Sequence, residues 1–157
     1  MIELKQVTKL YERATVLKDI TLSINEQGVY CLLGRNGAGK TTLLKSIAGY
    51  QNITDGTIQV NGRTITTSTL DTGVSYIENF AKYFNLSVRK LLQIASKVNS
   101  NYDFDFAWEM MERFELDGKK KFNHLSLGMK TMVSTIICLA SNKEVVLLDE
   151  PVLGFDA

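Results

Sequence analysis

The chain has 157 residues, of which 45% are hydrophobic and 22% charged, and its formal net charge is +1. That length fits one domain with a substantial core, and the near-neutral balance gives no reason to expect nucleic acid or an anionic membrane surface as a partner. No apolar run approaches the roughly 20 residues that cross a bilayer, the N-terminus carries no signal-peptide apolar region, and Cys31 and Cys138 lie in apolar stretches that predict buried thiols in a reducing cytosol. A soluble intracellular protein is expected.

In chain order, "IELKQVTKLY" alternates loosely and predicts a strand. "ATVLKDITLSI" alternates more cleanly, with Val16, Ile20, Leu22 and Ile24 on a common parity that Lys18 breaks. After a turn at Asn25 to Gly28, "VYCLLG" (Val29 to Gly34) is continuously apolar, as a strand buried on both faces of a parallel sheet would be. A glycine-rich loop follows, then a helix over "KTTLLKSIAGY" with Gly49 near its end. "DGTIQVNGRTI" predicts a short strand between turn signals, and "GVSYIENF" another strand that leads into a loop. From about Asn85 the period becomes helical. "LSVRKLLQIASKV" has an N-cap at Ser87, "FDFAWEMMERFEL" spaces Phe104, Trp108, Met111 and Phe114 for one buried stripe, and "LSLGMKTMVSTIICLAS" is a third helix. The apolar strand Val145 to Leu148 then delivers two carboxylates, Asp149 and Glu150, to its tip.

The chemistry-bearing motif is "GRNGAGKT", Gly34 to Thr41, which satisfies G-x-x-x-x-G-K-[ST] in full and lies between a predicted strand and a predicted helix. Gly37 and Gly39 let backbone N–H groups turn inward around phosphates without Cβ clashes. The helix N-terminus adds a favourable partial charge. Lys40 would bridge the β- and γ-phosphates, and the Thr41 hydroxyl would ligate Mg²⁺. Asp149 suits the same ion, directly or through water, and Glu150 could polarise an attacking water as general base.

On these residues the sequence resembles the nucleotide-binding domain of ATP-binding cassette (ABC) transporters along its whole length. "GRNGAGKTT" resembles the Walker A motif, "VVLLDEP" the Walker B motif with its catalytic glutamate, and "LGFDA" the D-loop with Asp156 as its aspartate. The resemblance implies an α/β P-loop NTPase with a mainly parallel core sheet, an N-terminal antiparallel β subdomain and a helical insert over about 87–142, within one ATP-binding domain spanning 1–157. It implies ATP and Mg²⁺ as cofactors. Gly34, Arg35, Asn36, Gly37, Ala38, Gly39, Lys40, Thr41 and Thr42 would hold the phosphates, and Tyr11 would stack on adenine with Val16 packed beside it. Lys40 and Glu150 would be catalytic; Thr41 and Asp149 would hold the metal. "LSLGMK" resembles the LSGGQ signature, with Leu127 and Met129 replacing a glycine and a glutamine. Ser126, Leu127, Gly128 and Met129 would face the ATP of a partner subunit in a head-to-tail homo- or heterodimer. Asn79 stands where the Q-loop has glutamine, one methylene short of the usual reach, which bears on coupling more than on nucleotide binding.

Family domains continue past the D-loop, through a strand inserted between the Walker A and Walker B strands and a histidine that contacts the γ-phosphate. His124, just before the signature, does not match that histidine and is expected in a loop or at a helix cap. The 157 residues are therefore expected to be a C-terminally truncated cassette that grips Mg-ATP but hydrolyses it poorly. The transport role would place it in the cytoplasm, peripheral on the inner face of the cell membrane, beside separate transmembrane permease subunits. Two alternatives are a soluble ABC ATPase acting on nucleic acid or ribosomes, which the lack of a coiled coil or tandem cassette disfavours, and a non-catalytic nucleotide-binding remnant.

Overall fold

The structure, a computed structural model, describes residues 1–12, 14–78 and 85–151. Two compact units divide it, Met1–Val74 and Ser75 onward. The first holds β1 (Ile2–Tyr11), β2 (Ala14–Ile24), α1 (Lys40–Ile47), β3 (Asp55–Val60) and β4 (Arg63–Thr64), with the strands forming one antiparallel sheet in the order β2-β1-β3-β4.

The loose alternation of β1 has a local cause. Leu4 and Val7 are both fully buried although three residues apart, which a regular strand forbids. Gln6 at φ 51 and a register shift between Lys5 and Thr8 insert the extra residue that returns Val7 to the inner face. In β2 a second irregularity at Asp19, φ 50, separates the Lys9–Leu17 and Val7–Ile20 pairs. The expected parity is therefore corrected: Leu17 is the buried residue of this strand, and Leu22 is 41% exposed. Ile58 and Val60 of β3 pair with Leu4 and Ile2 and complete this core. Each such side chain contributes about 1.5–3 kcal/mol of burial.

Asn61 and Gly62 turn β3 into β4 with both residues at positive φ, 49 and 77, as the type I′ hairpin requires. Gly56 answers a sharper demand. At φ +90 an added Cβ would sit 2.5 Å from both the Lys5 and the Gln6 carbonyl oxygens, on the bulged side of β1.

One expected strand does not form. Val29 to Leu33 has no strand partner among the described residues, and Val29 and Leu33 are 103% and 84% exposed. Cys31 is exposed with it. An apolar run becomes a buried strand only where neighbours pair with both of its edges and cover both faces. The antiparallel sheet of this unit does not take it up.

In the second unit β5 (Val74–Ile77, starting at the boundary) pairs with β6 (Val145–Leu148) in a two-stranded sheet. The helices α2 (Val88–Val98), α3 (Phe104–Arg113) and α4 (Leu127–Leu139) lie between them in sequence. Each begins at a side-chain cap: Ser87 Oγ accepts from the Lys90 N–H at 3.3 Å, Asp103 Oδ1 from Phe106 at 2.9 Å, and Ser126 Oγ from Met129 at 3.2 Å. Val88, Leu92, Ala107, Met111, Phe122 and Val133 lead their shared core. The buried stripe of α3 runs through Ala107 and Met111; Phe104 and Trp108 are half-buried at its edge, and Phe114 is 51% exposed. Trp108 instead lies beneath the Arg89 guanidinium, 5.2 Å from its ring centroid, and donates to Glu112 at 2.7 Å. Cys138 is buried as expected, with its Sγ 3.0 Å from Ser75 Oγ, and burial raises its thiol pKa. Among the described residues no helix is long and apolar enough to cross a membrane.

Gly56→Ala should destabilise the chain by roughly 2–4 kcal/mol, because backbone rather than a movable side chain blocks the new methyl. Gly62→Ala, at a positive φ but with nothing within 4 Å, should cost about 1–2 kcal/mol from backbone conformation alone. Denaturant midpoints of the two variants compare these values directly. Met111→Ala should cost about 2–5 kcal/mol and Phe114→Ala under about 1 kcal/mol; equal losses would mean that the stripe of α3 includes Phe114 after all.

Candidate nucleotide site

The loop from Gly34 enters α1 through a left-handed glycine. Gly39 caps the helix at φ 88, ψ 9 and offers no side chain to the first turn. A Cβ there would lie 2.9 Å from the Val16 carbonyl oxygen, 3.0 Å from Leu17 Cδ2 and 3.3 Å from Val16 Cγ1. The close approach presses the loop onto β2, so Val16 reaches the loop through Gly39. Gly37, at φ +80, has nothing within 4 Å of a would-be Cβ, so its requirement for glycine is conformational and not steric. The Ala38 N–H closes a turn onto the Arg35 carbonyl at 3.1 Å, and the Leu43 N–H starts the helical ladder onto Gly39 at 2.8 Å. The N–H groups of Lys40, Thr41 and Thr42 precede that ladder and have no acceptor within the helix.

Lys40 Nζ donates to the carbonyls of Gly34 at 2.8 Å and Arg35 at 3.0 Å. The ammonium thus lies across the mouth of the loop. An anion in the loop would meet Lys40 and the helix terminus together. Gly34, Arg35, Asn36, Ala38 and Thr41 all fall in this segment; Arg35 and Asn36 are exposed.

Tyr11 ends β1 and is 45% exposed. Its hydroxyl donates to Gln51 Oε1 at 2.6 Å, and Lys9 Nζ lies over its ring at 4.9 Å from the centroid. Neither Gln51 nor Lys9 stands out in the sequence. The i, i+2 spacing of Lys9 and Tyr11 on one strand face was the only signal that could have linked them.

The acidic pair belongs to the second unit. The Asp149 N–H donates to the Ile77 carbonyl at 3.1 Å, and Asp149 Oδ2 accepts from the Tyr76 hydroxyl at 3.4 Å. β6 is half-buried along its length, and among the described residues only β5 pairs with it. Glu150 is exposed and takes φ 50, which turns the chain off the strand direction. Ile77, Glu78, Thr131, Ser134 and Pro151 line a small cleft with both acids. Tyr76 was not legible as a partner of Asp149, because only strand pairing brings positions 76 and 149 together.

The segment that resembles the signature, Ser126 to Met129, lies at the start of α4. Ser126 is its N-cap, exposed, with Oγ accepting from Met129 N–H; its own O–H remains a donor by chemistry. Gly128 is buried and Leu127 is 41% exposed. His124 ends a 3-10 turn, Phe122–His124, consistent with a loop or cap position. Asn79 and Asp156 lie outside the described residues.

A family profile described as ABC transporter matches residues 17–153. The chain is 34% identical over its full length to the ABC transporter ATP-binding protein YtrB of Bacillus subtilis, of which it covers 54%. It is 35% identical over 99% of its length to the bacitracin transport ATP-binding protein BcrA of Enterococcus faecalis, of which it covers 52%. It thus spans about half the length of these relatives. A solved ATP-binding subunit of an ABC transporter superposes on 99% of the chain with a TM-score of 0.86 and 25% identity, and 68% of that structure is covered. The fold is that of an α/β P-loop ATPase cassette, and the chain belongs to the ABC transporter ATP-binding family.

Proposed function

We propose that this chain binds Mg-ATP and serves as the ATP-hydrolysing part of a transporter, coupling nucleotide binding and turnover to movement of separate transmembrane permease subunits. The observation that carries the reading is the Gly34–Thr42 loop: a left-handed Gly39 pressed against Val16, a Gly37 at positive φ, and Lys40 held across its mouth on two loop carbonyls. Triphosphate oxygens would replace those carbonyls as Lys40's partners and would accept from the first N–H groups of α1. The Tyr11 ring would take the adenine.

Thr41 at the start of α1 and, in the second unit, Asp149 are each proposed as an oxygen ligand to Mg²⁺. A hydroxyl and a carboxylate suit a hard cation that prefers oxygen ligands. When bound, the ion would neutralise charge that develops on the phosphates. Glu150 would orient and deprotonate the attacking water. Its exposed position past the end of β6 agrees with a group that meets its substrate only when a site closes over it.

Ser126 at the start of α4, with Leu127, Gly128 and Met129, would contact the ATP held by a second cassette in a head-to-tail dimer, with Asp156 beside it. Residues 1–157 would form one ATP-binding domain, with the helical segment 87–142 and the stretch around Asn79 facing the permeases. The chain would sit peripherally on the inner face of the membrane. YtrB and BcrA are ATP-binding transport proteins by name, which supports this reading over action on nucleic acid or ribosomes. Slow turnover by the 157 residues alone is expected, because Val29 to Leu33, which feeds the loop, is exposed and has no strand partner among the described residues.

Mg-ATP at 100 times its dissociation constant should stabilise the chain by about 2.7 kcal/mol, a shift of several degrees in thermal unfolding. Lys40→Ala should abolish the shift; a shift that survives it would place the nucleotide elsewhere. Glu150→Gln should keep the shift while lowering phosphate release by roughly 100-fold or more. Unchanged release would remove Glu150 from the base role.

A further inference from the structure

The segment after α1 is stitched to the end of β1. Thr54 N–H donates to the Thr8 carbonyl at 2.8 Å, Leu10 N–H to Thr54 Oγ1 at 3.0 Å, and Lys9 Nζ to the Asn52 carbonyl at 2.6 Å. Gln51 lies in the middle of this seam. Its Oε1 accepts from the Tyr11 hydroxyl at 2.6 Å, while its Nε2 donates to the Thr42 carbonyl at 2.8 Å and to Ser46 Oγ at 3.1 Å. The orientation of the amide is determined by chemistry: a backbone carbonyl only accepts, so the nitrogen must face Thr42 and the oxygen must face the phenol. Ser46 is buried and itself donates to the Thr42 carbonyl at 2.8 Å, so the α1 end of the link is anchored.

We propose that Gln51 is a positioning residue that ties the Tyr11 ring to the phosphate-binding helix, so that base and phosphates of one nucleotide are registered against each other by a single side chain. The inference rests on the reading of Tyr11 as the adenine platform and goes beyond it. Lys9, tethered to the Asn52 carbonyl, covers one face of the ring, so a base stacks on the other. The ring is thereby held at its hydroxyl and on one face before any ligand arrives. Fixing a platform in advance avoids ordering it on binding, which is where preorganisation adds affinity.

The test is the ratio of affinities for ATP and for inorganic tripolyphosphate, which shares the phosphate loop but has no base. Both are titrated calorimetrically, with Mg²⁺, into the wild-type chain and into Gln51→Ala, Tyr11→Phe, the double variant and Tyr11→Ala. Gln51→Ala and Tyr11→Phe should each weaken ATP by roughly fivefold, the worth of one lost hydrogen bond. The double variant should be no weaker than the worse single variant within about twofold, since both delete the same link. Tripolyphosphate should bind all four variants as it binds wild type. Equal loss of ATP and tripolyphosphate in Gln51→Ala would overturn the proposal, leaving Gln51 a mere support of α1. Loss of ATP in Tyr11→Ala with none in Gln51→Ala or Tyr11→Phe would also overturn it, while leaving the adenine platform in place. No change of the ratio in Tyr11→Ala would remove the platform itself and the proposal with it. Tyr11→Phe deletes one oxygen from a half-exposed ring, so the test stands even if Gln51→Ala folds poorly.

Discussion

The close approach of Gly39 to the Val16 carbonyl is the constraint on which the candidate nucleotide site depends. A phosphate loop works only if successive N–H groups converge on one point, and that convergence requires backbone in the left-handed region at the entry to the helix. Gly39 supplies it, and its bare Cα lets β2 approach until an added methyl would lie 2.9 Å from a backbone oxygen. The loop is therefore shaped from outside as well as from within. The irregular antiparallel sheet beneath it acts as a form against which the turn is set.

The same unit shows how bulges convert an ambiguous pattern into a defined face. Gln6 and Asp19, both at positive φ, each shift the parity of their strand by one. Leu4, Val7 and Leu17 then share the inner face, although no uniform alternation joins them. The end of β1 is in turn aimed at the segment that follows α1, and that places Tyr11, Lys9 and Gln51 together. Elements far apart in sequence are thus joined by polar bonds that the hydrophobic pattern does not encode.

The second unit is organised differently. Its three helices begin at Ser87, Asp103 and Ser126, each with a side-chain oxygen on a first-turn N–H, and their core is apolar around Met111, Leu92 and Val133. The cap of α4, Ser126, is also the serine proposed to contact a partner's ATP. One residue thereby ends an irregular segment, starts a helix and presents a hydroxyl where a helix dipole favours anions. The carboxylate end of β6 is held by a backbone bond to Ile77 and a long contact to Tyr76, so the strand pair determines where Asp149 sits.

What the sequence determined by itself was whatever depends on neighbours within a few positions. The G-x-x-x-x-G-K-T spacing, the Ser87 cap, the three helical periods and the strand ending in Asp149–Glu150 are all local in that sense, and each was legible, whereas the Asn61–Gly62 turn divides what reads as one short strand. What it did not determine depends on pairing across the chain. The apolar run Val29–Leu33 has the composition of a buried strand, yet lies exposed because no described strand pairs with it; composition states a capacity for pairing, and only tertiary structure supplies the partner. Phe114 shares its period with Met111 and is exposed, since helix packing and not spacing selects which side of a stripe is covered. Gln51 and Tyr76 became meaningful only once folding brought positions 11 and 51, and 76 and 149, within hydrogen-bond reach. A hydrogen bond needs atoms within about 3 Å, and that distance is a property of the folded chain alone.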